Sequence, residues 1–144
     1  MKLRSIPVLL VALSLAAALL IDSTAQSSRE LHVKMTYSGT EEVDSAKGIH
    51  VYLFDTPNIS EGAMPIGMQS AFRNGEVLKF AGLTPSTVYL VAAYGDYDPM
   101  MGPPPSGTPV ALYRPGDPGV PTPVSMEPGT VEIEFDFDDA FLMP

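Results

Sequence analysis

The sequence has 144 residues, a formal net charge of −9 and no cysteine. The lack of cysteine excludes disulfide bonds and thiolate metal sites, so a folded domain must be held by its apolar core. The acidic charge argues against nucleic acid and anionic membranes as partners, because both bind basic surfaces.

Residues 1–25 have the features of a secretory signal peptide. A basic start is followed by an almost wholly apolar run over 6–21, and Ser23 and Ala25 fit the −3 and −1 positions of a cleavage site. The apolar run has 16 residues, fewer than the roughly 18 that a membrane-spanning helix needs. We therefore expect one secreted or periplasmic domain that begins at Gln26 and has no membrane contact after cleavage.

Alternating apolar and polar side chains predict strands through the first half of this domain. Leu31 to Tyr37 alternates in this way, whereas Thr87 to Tyr94 is apolar on both faces, which is typical of a central strand. Arg73-Asn74-Gly75 predicts a tight turn, because Asn and Gly tolerate positive φ. The predicted strands are 31–37, 48–54, 66–72, 76–80 and 87–94.

The second half of the domain has a different composition. Residues 99–123 hold nine prolines, and proline cannot donate to a sheet ladder, so we expect an irregular loop with short strands at 109–113 and 123–126. Thr130 to Asp138 then alternates strictly, with its acidic positions expected in solvent and its apolar positions in the core. These apolar positions are Val131, Ile133, Phe135 and Phe137.

Together these elements predict an all-β fold: a single antiparallel β-sandwich of about seven strands over 26–139, with transthyretin-like or immunoglobulin-like architecture. Tyr89 and Val91 are expected to be buried or half-buried in the same core that the strand 130–138 lines. The apolar tail 140–144 either folds back over the sandwich or forms a short docking segment.

Two segments suggest a family. Gly48-Ile49-His50-Val51-Tyr52-Leu53-Phe54 is followed downstream by Phe80-Ala81-Gly82-Leu83-Thr84-Pro85-Ser86-Thr87-Val88-Tyr89. This order resembles the carboxypeptidase regulatory-like, or transthyretin-like (prealbumin-like), β-sandwich modules of exported proteins. In those modules a strand ending in an aromatic residue leads to a Gly-Leu-Pro-Pro-Gly-Thr-Tyr-like turn, from which Thr84 and Ser86 depart. The resemblance implies a non-catalytic accessory, stabilising or binding domain.

One relative of that fold is an enzyme family, the 5-hydroxyisourate hydrolases. Leu31-His32-Val33 is similar to its early His-Val motif, and Tyr113-Arg114 to part of its terminal Tyr-Arg-Gly-Ser. However, Pro115 and Gly116 follow Arg114, and 28 residues come after them. The terminal signature is therefore not reproduced, and a hydrolase of this type is a minor alternative.

His32 and His50 are the two histidines, and each lies opposite the main apolar face of its strand. If these strands pair, the imidazoles approach each other, although a metal site would need a third ligand. Without such a ligand both histidines are expected at the surface. A Ser-His-Asp triad stays open because triads are spatial, but no Gly-x-Ser-x-Gly elbow supports it.

Two sets of loop residues are candidate metal ligands. Asp96 and Asp98 alternate as calcium ligands do, but Met100 takes the next alternate position, so a degenerate loop is the rival interpretation. Four loop methionines carry soft thioethers that suit copper(I), with adaptable packing as the rival interpretation. These methionines are Met64, Met68, Met100 and Met101.

The expected function is that of an exported, non-enzymatic β-sandwich that binds or stabilises a partner, either an exported protein or a glycan. The alternative is a metal-binding protein that uses copper through the loop methionines or calcium through Asp96 and Asp98.

Overall fold

Two β-sheets pack face to face around an apolar core. A computed structural model describes residues 28–60, 62–115 and 120–144, so the predicted signal peptide at 1–25 lies outside the described residues. The elements, in chain order, are β1 (Arg29–Tyr37), β2 (Gly48–Phe54), β3 (Gly67–Ala71), β4 (Val77–Leu83), β5 (Thr87–Gly95), a 3₁₀ turn (Pro99–Met101), β6 (Val110–Leu112), β7 (Val124–Ser125) and β8 (Gly129–Phe137). The predicted all-β sandwich is confirmed, with eight strands in the described ranges. Within those ranges no helix is long and apolar enough for a membrane crossing.

The first sheet has β1 at its centre, between β4 and β8. β1 runs antiparallel to β4 but parallel to β8, which differs from the purely antiparallel pairing predicted. The two strands are distant in sequence, so no tight turn forces them into opposite directions. Their register sets Met35 opposite Phe135 in the core. On the solvent face it brings Lys34 to 3.6 Å from Glu134.

The second sheet has the order β3-β2-β5-β6, and β7 pairs with the start of β5. All seven residues of β2 are buried, because loops and the C-terminal tail also cover the face that points away from the main core. A second apolar cluster forms there around Tyr52, Phe54, Ala93 and Val110. The side chains that pack against it from outside the strands are Ile59, Ala63, Tyr97 and Met143.

The main core lies between the two sheets. β8 contributes Phe135 and Phe137 as buried residues, and its two other apolar positions are partly buried, as the alternation predicts. Tyr89 and Val91 are half-buried as expected, but they pack against the second cluster, so the prediction that they share a core with β8 is wrong. A run that is apolar on both faces does not reveal which face meets the other sheet. The β5 residues that face the main core are Val88, Leu90, Ala92 and Tyr94.

The turn after β3 fastens the end of β1. Gly75 has φ +80°, whereas Asn74 does not have a positive φ. β3 and β4 belong to different sheets, so the predicted tight turn crosses between sheets and does not close a hairpin. Asn74 accepts a hydrogen bond from the Tyr37 backbone N–H at 2.7 Å and donates one to the Tyr37 carbonyl at 3.0 Å. This paired contact positions Tyr37 at the end of its strand.

The C-terminal tail folds back over the sandwich, which is the first of the two expected alternatives. Leu142 forms an antiparallel bridge with Pro109. The Met143 N–H donates to the Thr108 carbonyl, and the Gly107 N–H donates to the Met143 carbonyl, both at 2.8 Å. The tail therefore holds residues 107–109, which precede β6, in place through backbone hydrogen bonds.

Candidate functional site

A cleft of about 470 Å³ opens at the end of the sandwich where β1 and β5 finish. Its lining comes from the end of β1 and the loop after it, from the end of β5, from residues 106–109, and from two residues beyond β8. Four chain segments thus meet at this end. Loops carried on a rigid scaffold are frequent locations of binding residues.

Tyr37 and Tyr94 form the aromatic wall of the cleft. Their rings stack with centroids 4.0 Å apart, and the Tyr94 hydroxyl donates to the Glu42 carbonyl at 2.6 Å. The Tyr37 side chain is only 4% exposed, and no described residue forms a hydrogen bond with its hydroxyl. No described side-chain polar atom is both fully buried and unpaired, so this hydroxyl retains some contact with solvent, and Tyr37 lines the cleft. Any side chain at Gly39 would overlap the Tyr37 hydroxyl, so glycine leaves room for the ring.

The charged groups of the cleft are mostly paired with one another. Asp139 accepts hydrogen bonds from the Thr40 backbone N–H at 3.0 Å and from its hydroxyl at 2.9 Å, and these bonds lower the pKa of Asp139. The Lys47 ammonium lies 2.6 Å from a Glu41 carboxylate oxygen, a contact that raises the pKa of Lys47. Asp96 is exposed, and its carboxylate has no hydrogen bond or ion pair with any described residue.

Burial controls the protonation of the aromatic wall. It is the main cause that raises the pKa of Tyr37 to about 12, and the negative charge of Asp139 is the second cause. Burial likewise raises the pKa of Tyr94. Both phenols therefore keep their protons near neutral pH, so the Tyr37 hydroxyl is available as a hydrogen-bond donor.

Thr108 supplies a second buried hydroxyl to the cleft. Its side chain is 9% exposed, and its backbone N–H and carbonyl are bonded to Pro105 and Met143. Its hydroxyl has no hydrogen bond to a described residue, and the residue lines the cleft. By the same argument as for Tyr37, the Thr108 hydroxyl retains some contact with solvent.

The two aspartates of the predicted calcium loop have different surroundings. Asp98 accepts a hydrogen bond from the Met100 backbone N–H at 2.9 Å and caps the 3₁₀ turn, whereas Asp96 lines the cleft. Across 28–60, 62–115 and 120–144, no group of three or more His, Asp or Glu side chains is arranged to hold a metal ion. Calcium binding stays a prediction.

The four methionines also divide into two kinds. Met68 lies on β3 opposite Tyr52 and packs against the second cluster, which fits the packing interpretation. Met64, Met100 and Met101 are 80%, 78% and 84% exposed. Copper(I) binding by these thioethers stays a prediction.

His50 is buried at 3% exposure, so the expectation that it lies at the surface is wrong. The ring of Tyr97 packs edge-on against it at 4.6 Å, because the loop after β5 covers this face. Nδ1 of His50 lies 2.8 Å from the Ser70 hydroxyl, and Nε2 lies 3.2 Å from the Gly95 carbonyl. Burial lowers the pKa of His50, opposed by Gly95 and by the charge of Asp98. This arrangement is not that of a Ser-His-Asp triad, in which the serine bonds Nε2 and a carboxylate bonds Nδ1: here the serine is at Nδ1 and a backbone carbonyl is at Nε2.

His32 and His50 are not brought together, because β1 and β2 belong to different sheets, so the condition for the imidazoles to approach each other is not met. His32 is half-buried on the outer face of the first sheet, where Nε2 contacts Glu30 and Nδ1 lies 3.9 Å from Glu132. Tyr113 follows β6 in the other sheet and packs toward the main core.

The sequence interpretation singled out Asp96 but missed Tyr37, Thr40, Thr108 and Asp139. A local signal existed for Tyr37, which is an aromatic residue at the end of an alternating strand. No local signal joins Thr40 to Asp139, because these residues are 99 positions apart.

A scan against known protein families finds no match for this chain. A search of curated proteins likewise finds no matching relative.

Proposed function

We propose that this chain is an exported, non-catalytic binding module, similar to the carboxypeptidase regulatory-like sandwiches, and that the cleft is its binding surface. The observation that supports this proposal is a ready-made cleft whose walls are held by hydrogen bonds within the protein. Its volume of about 470 Å³ falls within the roughly 300–1,000 Å³ typical of ligand pockets.

Each wall is fixed before any ligand arrives. The Asn74 side chain forms hydrogen bonds with the backbone N–H and carbonyl of Tyr37. Thr40 donates two hydrogen bonds to Asp139. The tail holds Thr108 through its backbone. A preorganised site loses little conformational entropy when a ligand binds, and this favours affinity.

Export is tested by fractionating the cells that produce the full chain and sequencing the N-terminus of the recovered protein. We expect the protein in the exported fraction, beginning at Gln26. A cytoplasmic protein that retains residues 1–25 would contradict export.

Binding is tested by immobilising the exported protein and measuring what it retains from the soluble exported fraction. Ser106 is exposed at the rim of the cleft, so Ser106→Trp should block the opening without disturbing the core. The matched control is Ser125→Trp, also exposed, on β7 at the opposite end of β5. Wild type and control should retain the same material, and the blocked variant should lose it. Equal retention by all three proteins would show that the cleft is not the binding surface.

Catalysis is tested with the same pair of variants. We expect no turnover of ester, glycoside, peptide or phosphate substrates by the wild-type protein. Turnover that Ser106→Trp abolishes and Ser125→Trp preserves would replace the binding module with an enzyme.

A further inference from the structure

We propose that the cleft recognises a neutral, hydroxyl-rich ligand, one or two saccharide residues, through the unpaired hydroxyls of Tyr37 and Thr108 and the free carboxylate of Asp96. This inference rests on the proposed function, because it names the ligand class of the same cleft.

Two nearly buried hydroxyls without partners are the first support for this inference. Tyr37 is 4% exposed and Thr108 is 9% exposed, and neither hydroxyl has a hydrogen-bond partner in the described part of the chain. Because these hydroxyls retain contact with solvent, water can satisfy them until a ligand hydroxyl takes its place. Hydroxyls that are held at the wall of a cleft and left unpaired by the protein are therefore suited to a ligand that supplies the missing partners.

The charge of the cleft disfavours anionic ligands, because three carboxylates and one lysine line it. Among the described residues that line the cleft, Lys47 is the only lysine, and it is paired with Glu41 at 2.6 Å, so these residues offer no free cation to an anionic ligand. Asp139 is satisfied by Thr40. One acceptor, Asp96, remains alongside two neutral hydroxyls.

This combination matches the chemistry of a sugar. Every sugar hydroxyl both donates and accepts a hydrogen bond, so it can donate to a carboxylate such as Asp96 and accept from a hydroxyl such as Tyr37 or Thr108. The apolar C–H surface of the sugar ring also needs an apolar neighbour. Pro109 and the half-exposed Leu142 supply apolar lining in the same cleft.

The test has two steps. The exported protein is first screened on an array of neutral hexose, N-acetylhexosamine and uronate-containing oligosaccharides. The best neutral saccharide is then titrated by calorimetry into wild type, Tyr37→Phe, Thr108→Val and Asp96→Asn. The first two changes remove a hydroxyl and keep the shape of the side chain.

We expect each of these three variants to raise the dissociation constant roughly tenfold, the usual effect of losing one hydrogen bond to a ligand. The control is Tyr113→Phe, because Tyr113 lies outside the cleft and packs against Phe135. It should bind like wild type. Denaturant melts of every variant establish that the fold is retained.

The possible failures are distinguishable. Suppose that no neutral saccharide binds, but the wild-type protein still retains material that Ser106→Trp does not retain. The ligand class is then wrong, and the proposed binding module stands. If Ser106→Trp also makes no difference to what the protein retains, both proposals fail. If a saccharide binds equally well to wild type and Tyr37→Phe, or if uronates or polyamines bind better than neutral sugars, the inference is overturned.

Discussion

Replacing Phe135 with alanine tests the facing of β8 and, with it, the packing of the two sheets. Phe135 is 3% exposed in the main core. Its ring meets the ring of Tyr113 edge to face at 5.3 Å and that of Phe137 at 6.0 Å. The substitution removes these contacts and the buried area together.

The expected loss follows from these contacts. Burying a phenylalanine side chain stabilises a protein by roughly 1.5–3 kcal/mol, and each aromatic pair adds about 0.5–1.5 kcal/mol. The cavity left by the ring adds to the loss, although β8 is an edge strand and can relax partly around it. We therefore expect Phe135→Ala to lower the free energy of unfolding by about 3–5 kcal/mol.

The matched control is the neighbouring Glu134→Ala. The Glu134 side chain is 72% exposed and lies 3.6 Å from Lys34. Exposed ion pairs contribute little, so the loss should be about 0.5 kcal/mol or less. Urea melts followed by tyrosine fluorescence and circular dichroism measure both variants, and equal slopes show that the unfolded states are comparable. If the two variants lose the same stability, the facing of β8 is wrong.

Three further predictions concern the groups around the cleft and the second sheet. Burial holds the pKa of His50 below its ordinary value of 6.5. Just below pH 6.5, His50 is therefore protonated in the unfolded chain but not in the folded protein. The free energy of unfolding should therefore fall as the pH drops through that range, and His50→Gln should remove this slope in melts at a series of pH values; an unchanged slope would contradict it. Asn74→Ala removes both hydrogen bonds to the Tyr37 backbone and should cost about 1–3 kcal/mol in urea melts, so a stability equal to wild type would show that water replaces the side chain. Gly39→Ala places a methyl group against the Tyr37 hydroxyl and should cost about 1–3 kcal/mol, with a changed near-ultraviolet tyrosine signal; unchanged melts and spectra would show that this loop has free space.

Most residues of the candidate site could not be predicted from the sequence. Asp96 was found because it follows a clear strand and carries a chemically distinctive side chain. Tyr37 and Thr108 were not found, because an unpaired hydroxyl becomes informative only when its burial is known. His50 was misjudged for a related reason: its strand showed which neighbours it has along the chain, but not that Tyr97 covers it.

The sequence by itself determined where strands and turns lie. The alternation of Thr130 to Asp138 and the Asn74-Gly75 turn are local properties, set by the two-residue period of a strand and by the backbone freedom of glycine. The tertiary structure alone decided that β1 pairs with β8 in parallel and that Tyr89 faces the second cluster. It also decided that four segments distant in the sequence meet in one cleft. Local periodicity fixes which side chains share a face of a strand, but pairing and facing depend on contacts between residues far apart in the chain.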